Sequence, residues 1–231
     1  MRRLHTRNSF YLGLFLLLLF PASAFSVSAI TCHCFTERSY DPARPTMADP
    51  YFLATTQNSF FALAFKTDKR NIVMKKQHGA LSDDLWIAYW VAAAKTGISP
   101  ETLLRSKQDK QTWKKVIAPL RLSTKALGGN FTNALNSNSS SSLLAEKVVD
   151  ELFLRFKLLD ERELAAIRQA GASNQELIIS TVIAAKTSKS AKLIYLDVRS
   201  GAKTWGYLLQ DAKIDTKNMQ QEISGIVRTA P

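Results

Sequence analysis

The residues best suited to chemistry are two cysteines and a histidine near the N-terminus, in the order Cys32, His33 and Cys34. Thiolates and imidazoles are the ligands that zinc prefers, and a thiol pair can also carry a redox function. In an extended chain the cysteines point to one face and His33 to the other, so the three converge only if the chain turns. Beyond residue 24 the chain offers one other histidine. One alternative is therefore a metal or redox site built from Cys32, His33, Cys34 and His78.

The favoured alternative for the two cysteines is an intramolecular disulfide that anchors this arm of the chain. The sequence has no third cysteine to compete for pairing, and an exported protein meets an oxidising environment. A bridge between Cys32 and Cys34 needs a turn at His33, because the Cα atoms of a disulfide lie about 4.4 to 6.8 Å apart. So short a loop restricts the unfolded chain little, and we expect the bridge to stabilise the protein modestly.

Catalytic residues are not apparent elsewhere in the sequence. Three histidines are too few to assemble a serine, histidine and carboxylate arrangement. The carboxylates that could act as a general acid or base stand where helix capping or solvent exposure explains them. They are Asp83, Asp84, Glu101, Asp160, Glu161 and Glu163. We therefore favour a binding protein over an enzyme, and the sequence predicts no cofactor apart from the metal alternative.

The first 24 residues have the three parts of a secretory signal peptide. A basic start at residues 1–8 precedes an apolar run at residues 10–20, and small residues follow. A run of this length is too short to cross a bilayer as a helix. Cleavage is expected after Ala24, with Ala29 as the second candidate. The sequence thus predicts an exported protein, periplasmic or extracellular, with no transmembrane helix in its mature chain.

The charge balance predicts an acidic partner. Lysine and arginine number 31 against 19 aspartates and glutamates, a formal net charge of +12. Removal of Arg2, Arg3 and Arg7 with the signal peptide leaves 28 basic residues and a net charge of +9. This surplus suits an acidic protein, an acidic polymer or an anionic surface in the cell envelope. Export argues against nucleic acid, which stays the alternative if the first 24 residues are not a signal peptide.

An internal duplication organises the rest of the chain. In the block that begins at Asp68, five of thirteen residues are identical to those of the block that begins 92 residues later at Asp160. About one identity would be expected by chance. After a one-residue deletion and a compensating insertion, the same offset pairs residues 112–113 with residues 204–205, which are Thr-Trp in both places. The chain is therefore predicted to contain two related units.

The predicted fold class is all-α, because every segment with a clear pattern is helical. Two tandem multi-helix units occupy residues 49–122 and 141–214, and an arm at residues 25–48 precedes them. A tract rich in serine and asparagine at residues 123–140 is predicted to be a flexible linker. A C-terminal helix and tail occupy residues 215–231.

Capping residues and apolar runs give the helix starts and the core. Asp49 before Pro50 is typical of a helix N-cap, and Asp160 and Ser173 are each followed three residues later by a glutamate, the spacing of a capping box. The helix over residues 85–94 is apolar nearly all round and is predicted to be buried. Core packing is favoured over ligand stacking for the four tryptophans, Trp86, Trp90, Trp113 and Trp205.

Three basic clusters lie within the predicted helices, at residues 66–70, 75–76 and 107–115. We interpret them as solvated helix faces, and the alternative is a surface for the acidic partner.

A short pattern of arginine, glycine and then a capped helix occurs at residues 168–173 and again at residues 199–204. Together with the start Ile-Thr-Cys-His-Cys-Phe at residues 30–35, it resembles uncharacterised exported bacterial proteins with tandem helical-repeat units. The resemblance implies a helical fold and no assigned activity. The predicted function is an exported helical binding or scaffold protein that presents a basic surface to an acidic envelope partner. Its rival is a metal-binding or redox accessory protein.

Overall fold

All regular secondary structure in residues 35–110 and 112–229, which a computed structural model describes, is helical. The predicted all-α fold class is thereby confirmed. Two short 310 helices, Ala118–Leu120 and Thr216–Asn218, accompany thirteen α-helices in these residues. The α-helices are α1 (Asp49–Ala64), α2 (Lys69–Gln77), α3 (Ser82–Ala94), α4 (Pro100–Lys110), α5 (Trp113–Ile117), α6 (Thr124–Leu127), α7 (Gly129–Asn136), α8 (Ser141–Arg155), α9 (Glu161–Gln169), α10 (Asn174–Ala184), α11 (Ala191–Arg199), α12 (Trp205–Asp211) and α13 (Met219–Thr229).

The helices of the two predicted units follow each other at a nearly constant spacing. α1 begins at Asp49 and α8 at Ser141, 92 residues later, and the same interval separates the starts of α2 and α9, α3 and α10, and α5 and α12. α4 begins 91 residues before α11, as the predicted one-residue deletion requires. The predicted duplication agrees with this spacing and stays a prediction, since equal spacing does not test common origin.

Two helices of the second unit begin with the predicted capping boxes. Asp160 accepts a hydrogen bond from the backbone N–H of Glu163 at 2.7 Å, and the Glu163 carboxylate returns to the backbone N–H of Asp160. Ser173 and Glu176 form the same reciprocal pair at the start of α10. These predictions are confirmed, and each cap contributes about 0.5 to 2 kcal/mol by satisfying backbone donors that the helix leaves without partners.

The prediction that Asp49 caps its own helix is wrong. α1 begins at Asp49 itself, and the N-cap is Ala48. The Asp49 carboxylate instead accepts hydrogen bonds from the backbone N–H groups of Trp205 at 3.3 Å and Gly206 at 2.9 Å, where α12 begins. The positive end of the α12 dipole favours a carboxylate there, although burial raises the pKa of Asp49. Asp49 therefore joins the first helix of the first unit to the last helix of the second.

Each unit packs one of its helices against a helix of the other unit. α1 of the first unit lies against α10 of the second, and α8 of the second lies against α3 of the first. Because α8 begins 92 residues after α1, and α10 begins 92 residues after α3, the predicted duplication would make each contact the counterpart of the other. The rings of Phe60 on α1 and Phe153 on α8 lie 5.4 Å apart between centroids, and both are buried. The units therefore share one hydrophobic core, which extends through the described residues.

The most apolar helices, α3 and α10, lie within this core. All four tryptophans are buried, which confirms the prediction that they serve in packing. Two of them also bond to protein: Trp90 Nε1 donates to the Leu127 carbonyl at 3.0 Å, and Trp113 Nε1 donates to the Asp84 carboxylate at 2.7 Å. None of the helices in the described part of the chain has both the length and the hydropathy needed to span a bilayer.

The prediction of a flexible linker at residues 123–140 is wrong. The stretch contains α6 and α7, and Leu127, Phe131 and Leu135 are buried. Apolar residues four apart give α7 a single buried face, and this helix packs on α8. The asparagines that suggested a linker lie on the exposed face of α7, and the serines lie mostly in the short connection at residues 137–140. The polar composition of the stretch therefore concealed its helical period.

Candidate functional site

The structure describes one of the four residues proposed for a metal site. His78 is the C-cap of α2 and is exposed, whereas Cys32, His33 and Cys34 lie outside the described residues. Within residues 35–110 and 112–229, no three histidine, cysteine, aspartate or glutamate side chains are grouped closely enough to hold a metal ion. The metal and disulfide alternatives for the arm stay predictions.

A groove between α2, α3 and α4 is formed by two cavities of about 440 and 650 Å³. Lys75 and His78 line both cavities, so the cavities adjoin at these residues. The smaller cavity is also lined by Thr67, Asn71, Met74, Tyr89, Pro100 and Glu101. The larger one is also lined by Gly79, Ala80, Leu81, Asp84, Leu104, Lys107 and Gln108. We call this feature the α2–α4 groove; its mixed lining suits a ligand that carries both charged and apolar groups.

An ion pair bridges α2 and α4 within the groove. Lys75 Nζ donates to Glu101 Oε1 over 2.6 Å. This hydrogen bond holds the pKa of Lys75 above its ordinary value and the pKa of Glu101 below its ordinary value. The Lys75 and Glu101 side chains are 28% and 51% exposed. Water therefore screens the pair, and such exposed pairs contribute about 0 to 1 kcal/mol.

Partly buried contacts hold one side of the groove, and two apolar side chains of its lining are open to solvent. The bond from Trp113 to Asp84 ties α5 to α3 beneath the larger cavity. Burial raises the pKa of Tyr89, which keeps its hydroxyl neutral. On the rim, Met74 is 42% exposed and Leu81 is 62% exposed. A ligand that covered these two side chains would remove apolar surface from water.

A strongly basic stretch at residues 105–125, which we call the basic segment, begins in α4 and ends in α6. It contains one acidic residue, Asp109, and seven basic residues, Arg105, Lys107, Lys110, Lys114, Lys115, Arg121 and Lys125. Lys107 also lines the α2–α4 groove, so the segment and the groove are continuous. Buried Trp113, Val116 and Ile117 hold α5 in the core while Lys114 and Lys115 stay exposed.

The positive charge is concentrated in the first half of the folded chain. Residues 49–140 contain 13 basic and 6 acidic side chains, a net charge of +7, whereas residues 141–231 contain 13 and 11, a net charge of +2. The stretch 92 residues beyond the basic segment, residues 197–217, has four basic and three acidic side chains. The excess of positive charge therefore lies mostly in residues 49–140 and is not repeated in residues 141–231.

Comparison with known proteins does not identify the groove or the basic segment. No family model, curated protein or solved structure matches this chain. His78 and the basic cluster at residues 107–115 stand out in the sequence, whereas the groove does not. Lys75 and Glu101 are in contact although they lie 26 positions apart in the sequence, so no short sequence motif predicts their contact. The unequal charge of the two halves was countable from the sequence.

A partly buried cation meets a buried polar side chain at positions 92 residues apart. Lys76 Nζ donates to Asn58 Oδ1 over 2.7 Å, and Arg168 Nε, 92 residues further on, donates to Asp150 Oδ1 over 2.8 Å. The second pair neutralises the buried charge, whereas the first sets an ammonium group against a neutral amide. Burial of a charge that has no carboxylate in hydrogen-bond contact is costly, so the charged form is less stabilised at Lys76 than at Arg168.

Burial lowers the pKa of Lys76 to about 8, and the Asp83 carboxylate opposes that shift. Burial in turn raises the pKa of Asp83, and the neighbouring Asp84 adds to the effect. A second amine faces the same helix, since Lys69 Nζ donates to Thr55 Oγ1 over 2.7 Å and burial lowers its pKa. The polar face of α1 thus holds two lysine amines in a setting that weakens their charged forms.

Replacing Lys76 by methionine should change how stability depends on pH. The folded protein releases the Lys76 proton near pH 8, whereas the ordinary value of 10.5 applies when the chain is unfolded. Between these values the unfolded state binds more protons, so stability rises with pH, by up to about 1.4 kcal/mol per pH unit for one site. Urea unfolding measured at several pH values between about 8 and 10.5 should show that the unfolding free energy of the parent rises relative to that of Lys76→Met.

The exposed Lys125 provides the control for this measurement, because Lys125→Met removes a lysine that is not buried. Its pH profile should run parallel to that of the parent. Parallel profiles for Lys76→Met and the parent would contradict the burial of Lys76 as a strained cation.

Proposed function

We propose that the chain is a binding protein whose first unit holds an acidic partner through the basic segment and the α2–α4 groove. The observation that carries the proposal is the density of charge in residues 105–125, seven basic side chains and one acidic. Charge of one sign on a surface attracts partners of the other sign and speeds their association. The predicted signal peptide places this partner in the cell envelope, as an acidic protein, polymer or surface.

Hydrogen bonds to neighbouring helices hold the elements that carry the basic side chains. Lys95 Nζ donates to the Leu120 carbonyl at 3.0 Å, which fixes the end of the 310 helix to α3. Lys114 Nζ donates to the Asn136 carbonyl at 2.7 Å and joins α5 to the end of α7. A surface that is already ordered loses less conformational entropy when a partner binds. This rigidity supports a role in recognition.

The ionisation of the groove also favours binding over catalysis. The hydrogen bond between Lys75 and Glu101 raises the pKa of the lysine and lowers that of the carboxylate. Both groups are therefore charged at neutral pH. A general acid or base works best with a pKa near the working pH. The hydrogen bond moves the pKa values of both groups away from neutral pH.

Neutralising exposed charges in the basic segment should weaken binding to an acidic polymer. The test variant is Arg105→Gln/Lys115→Gln/Lys125→Gln, and the matched control in the second half of the chain is Arg162→Gln/Lys192→Gln/Lys217→Gln; all six side chains are exposed. At about 0.5 kcal/mol per charge, the test variant should bind polyglutamate about tenfold more weakly at low salt. The control should stay within about threefold of the parent, and binding of the parent should fall as salt rises.

The control separates a specific surface from net charge, because both variants lose three positive charges. Equal weakening in both would show that total charge alone drives binding and would contradict a site in the first unit. Unchanged binding by the test variant, or binding that is insensitive to salt, would refute the proposal.

A further inference from the structure

We infer that Lys75 anchors a carboxylate of an acidic peptide segment, and that Glu101 occupies this anchor in the free protein. The inference rests on the proposed function and names the ligand of the α2–α4 groove. Glu101 would thus act as an internal competitor, and the ligand would replace it without creating a new kind of contact.

The position of the ion pair supports this exchange. Lys75 lines both cavities, whereas Glu101 lines only the smaller one, so the pair stands where the two cavities meet. Its hydrogen bond of 2.6 Å shows that Lys75 Nζ already presents a donor to a carboxylate inside the groove. Glu101 is 51% exposed and can turn towards water when displaced. Because exposed pairs contribute little, the exchange costs little.

The remaining lining selects a peptide among acidic ligands. Asn71 in the smaller cavity and Gln108 in the larger carry amides that can both donate to and accept from a peptide backbone. Leu81 and Leu104 give the larger cavity an apolar wall next to Lys75. A peptide in which an apolar residue adjoins an acidic one would cover Leu81 while its carboxylate meets Lys75. The phosphates of a nucleic acid could meet Lys75 but would leave Leu81 exposed.

The test measures the affinity of the full-length protein for a fluorescent peptide that alternates glutamate and leucine. Glu101→Gln frees Lys75 and should tighten binding about two- to fivefold, the range that corresponds to an exposed ion pair. Lys75→Gln removes the anchor and should weaken binding at least about threefold. The matched control is Asp197→Asn, which breaks the surface pairs of Asp197 with Lys189 at 3.0 Å and with Lys203 at 3.9 Å in the second unit and should leave affinity unchanged.

Two further peptides test the ligand class. A peptide that alternates glutamine and leucine should bind at least about tenfold more weakly, because it has no carboxylate for Lys75. A peptide that alternates glutamate and serine should also bind about tenfold more weakly, because it leaves Leu81 and Leu104 uncovered. The thermal midpoint of Glu101→Gln should not rise, since the variant loses an ion pair. A tighter ligand without higher stability is an outcome that a purely structural role for Glu101 does not produce.

Several results would overturn the inference. If Glu101→Gln binds the peptide no more tightly than the parent does, Glu101 is not a competitor. If the glutamine peptide binds as tightly as the glutamate peptide, Lys75 does not anchor a carboxylate. A single-stranded oligonucleotide that binds more tightly than the peptide, with the same response to Glu101→Gln, would identify nucleic acid as the occupant instead.

The inference and the proposed function fail in different ways. If peptide binding responds to Glu101→Gln but not to neutralisation of Arg105, Lys115 and Lys125, the groove is the site and the basic segment is not. If it responds to the neutralised segment alone, the proposed function stands and the role of Lys75 is wrong.

Discussion

Replacing Arg168 by methionine should lower the free energy of unfolding by about 3 to 5 kcal/mol, the range for breaking a buried ion pair by removing one partner. The Arg168 and Asp150 side chains are only 10% and 7% exposed. The guanidinium also donates to the Ala172 carbonyl at 2.9 Å and to Asn174 Oδ1 at 2.6 Å. Methionine would leave Asp150 buried with Lys147 as its remaining cationic partner. Urea unfolding at neutral pH would measure the loss.

Arg162→Met on the same helix is the matched control, because Arg162 is exposed and its replacement should change stability by less than about 0.5 kcal/mol. The double variant Asp150→Leu/Arg168→Met should recover much of the loss, since it removes the stranded carboxylate. A loss below about 1 kcal/mol for Arg168→Met alone would contradict the role assigned to this pair.

Replacing Phe153 by alanine should cost about 3 to 5 kcal/mol, as expected when a buried phenylalanine leaves a cavity. Phe153 is 1% exposed and its ring meets that of Phe60 at 5.4 Å, in the core that both units share. The unfolding transition should therefore shift as a whole. Tryptophan fluorescence, which reports mostly on the first unit, and far-UV circular dichroism, which reports on all helices, should give the same midpoint.

Leu193→Ala is the control for this prediction, because Leu193 lies in the second unit and is 55% exposed. It should change the free energy of unfolding by less than about 0.5 kcal/mol. Two separate transitions in Phe153→Ala, with the first unit still folded while the second melts, would contradict the shared core.

The sequence predicted the features that depend on neighbouring residues. Asp160 and Ser173 each have a glutamate three residues later, and that local spacing suffices to form the capping boxes seen in the structure. The apolar run at residues 85–94 similarly predicted a helix buried on nearly all sides, and residues Leu85, Trp86 and Ile87 are fully buried. Such predictions succeed because the information lies within one or two helical turns.

The features that sequence reasoning missed depend on contacts between distant residues. Asp49 has the sequence context of an N-cap, but its carboxylate bonds to Gly206, 157 positions away. The asparagines of α7 predicted a flexible linker, whereas Phe131 and Leu135 are covered by packing on α8. The α2–α4 groove likewise brings together Lys75 and Glu101, which lie 26 positions apart on two helices. Local composition cannot specify which partner a side chain meets.

The contacts between the two units determine which helices a bound ligand would stabilise. A ligand bound between α2, α3 and α4 would stabilise α3, which packs on α8, and α2, which packs on α1; α1 in turn packs on α10. Its binding free energy, RT ln(1 + [L]/Kd), is therefore added to the stability of both units together. Opening of one unit would expose the aromatic surface that the other packs against, so we expect the two units to resist proteolysis together. A ligand in the groove of the first unit would therefore also slow proteolysis of the second unit.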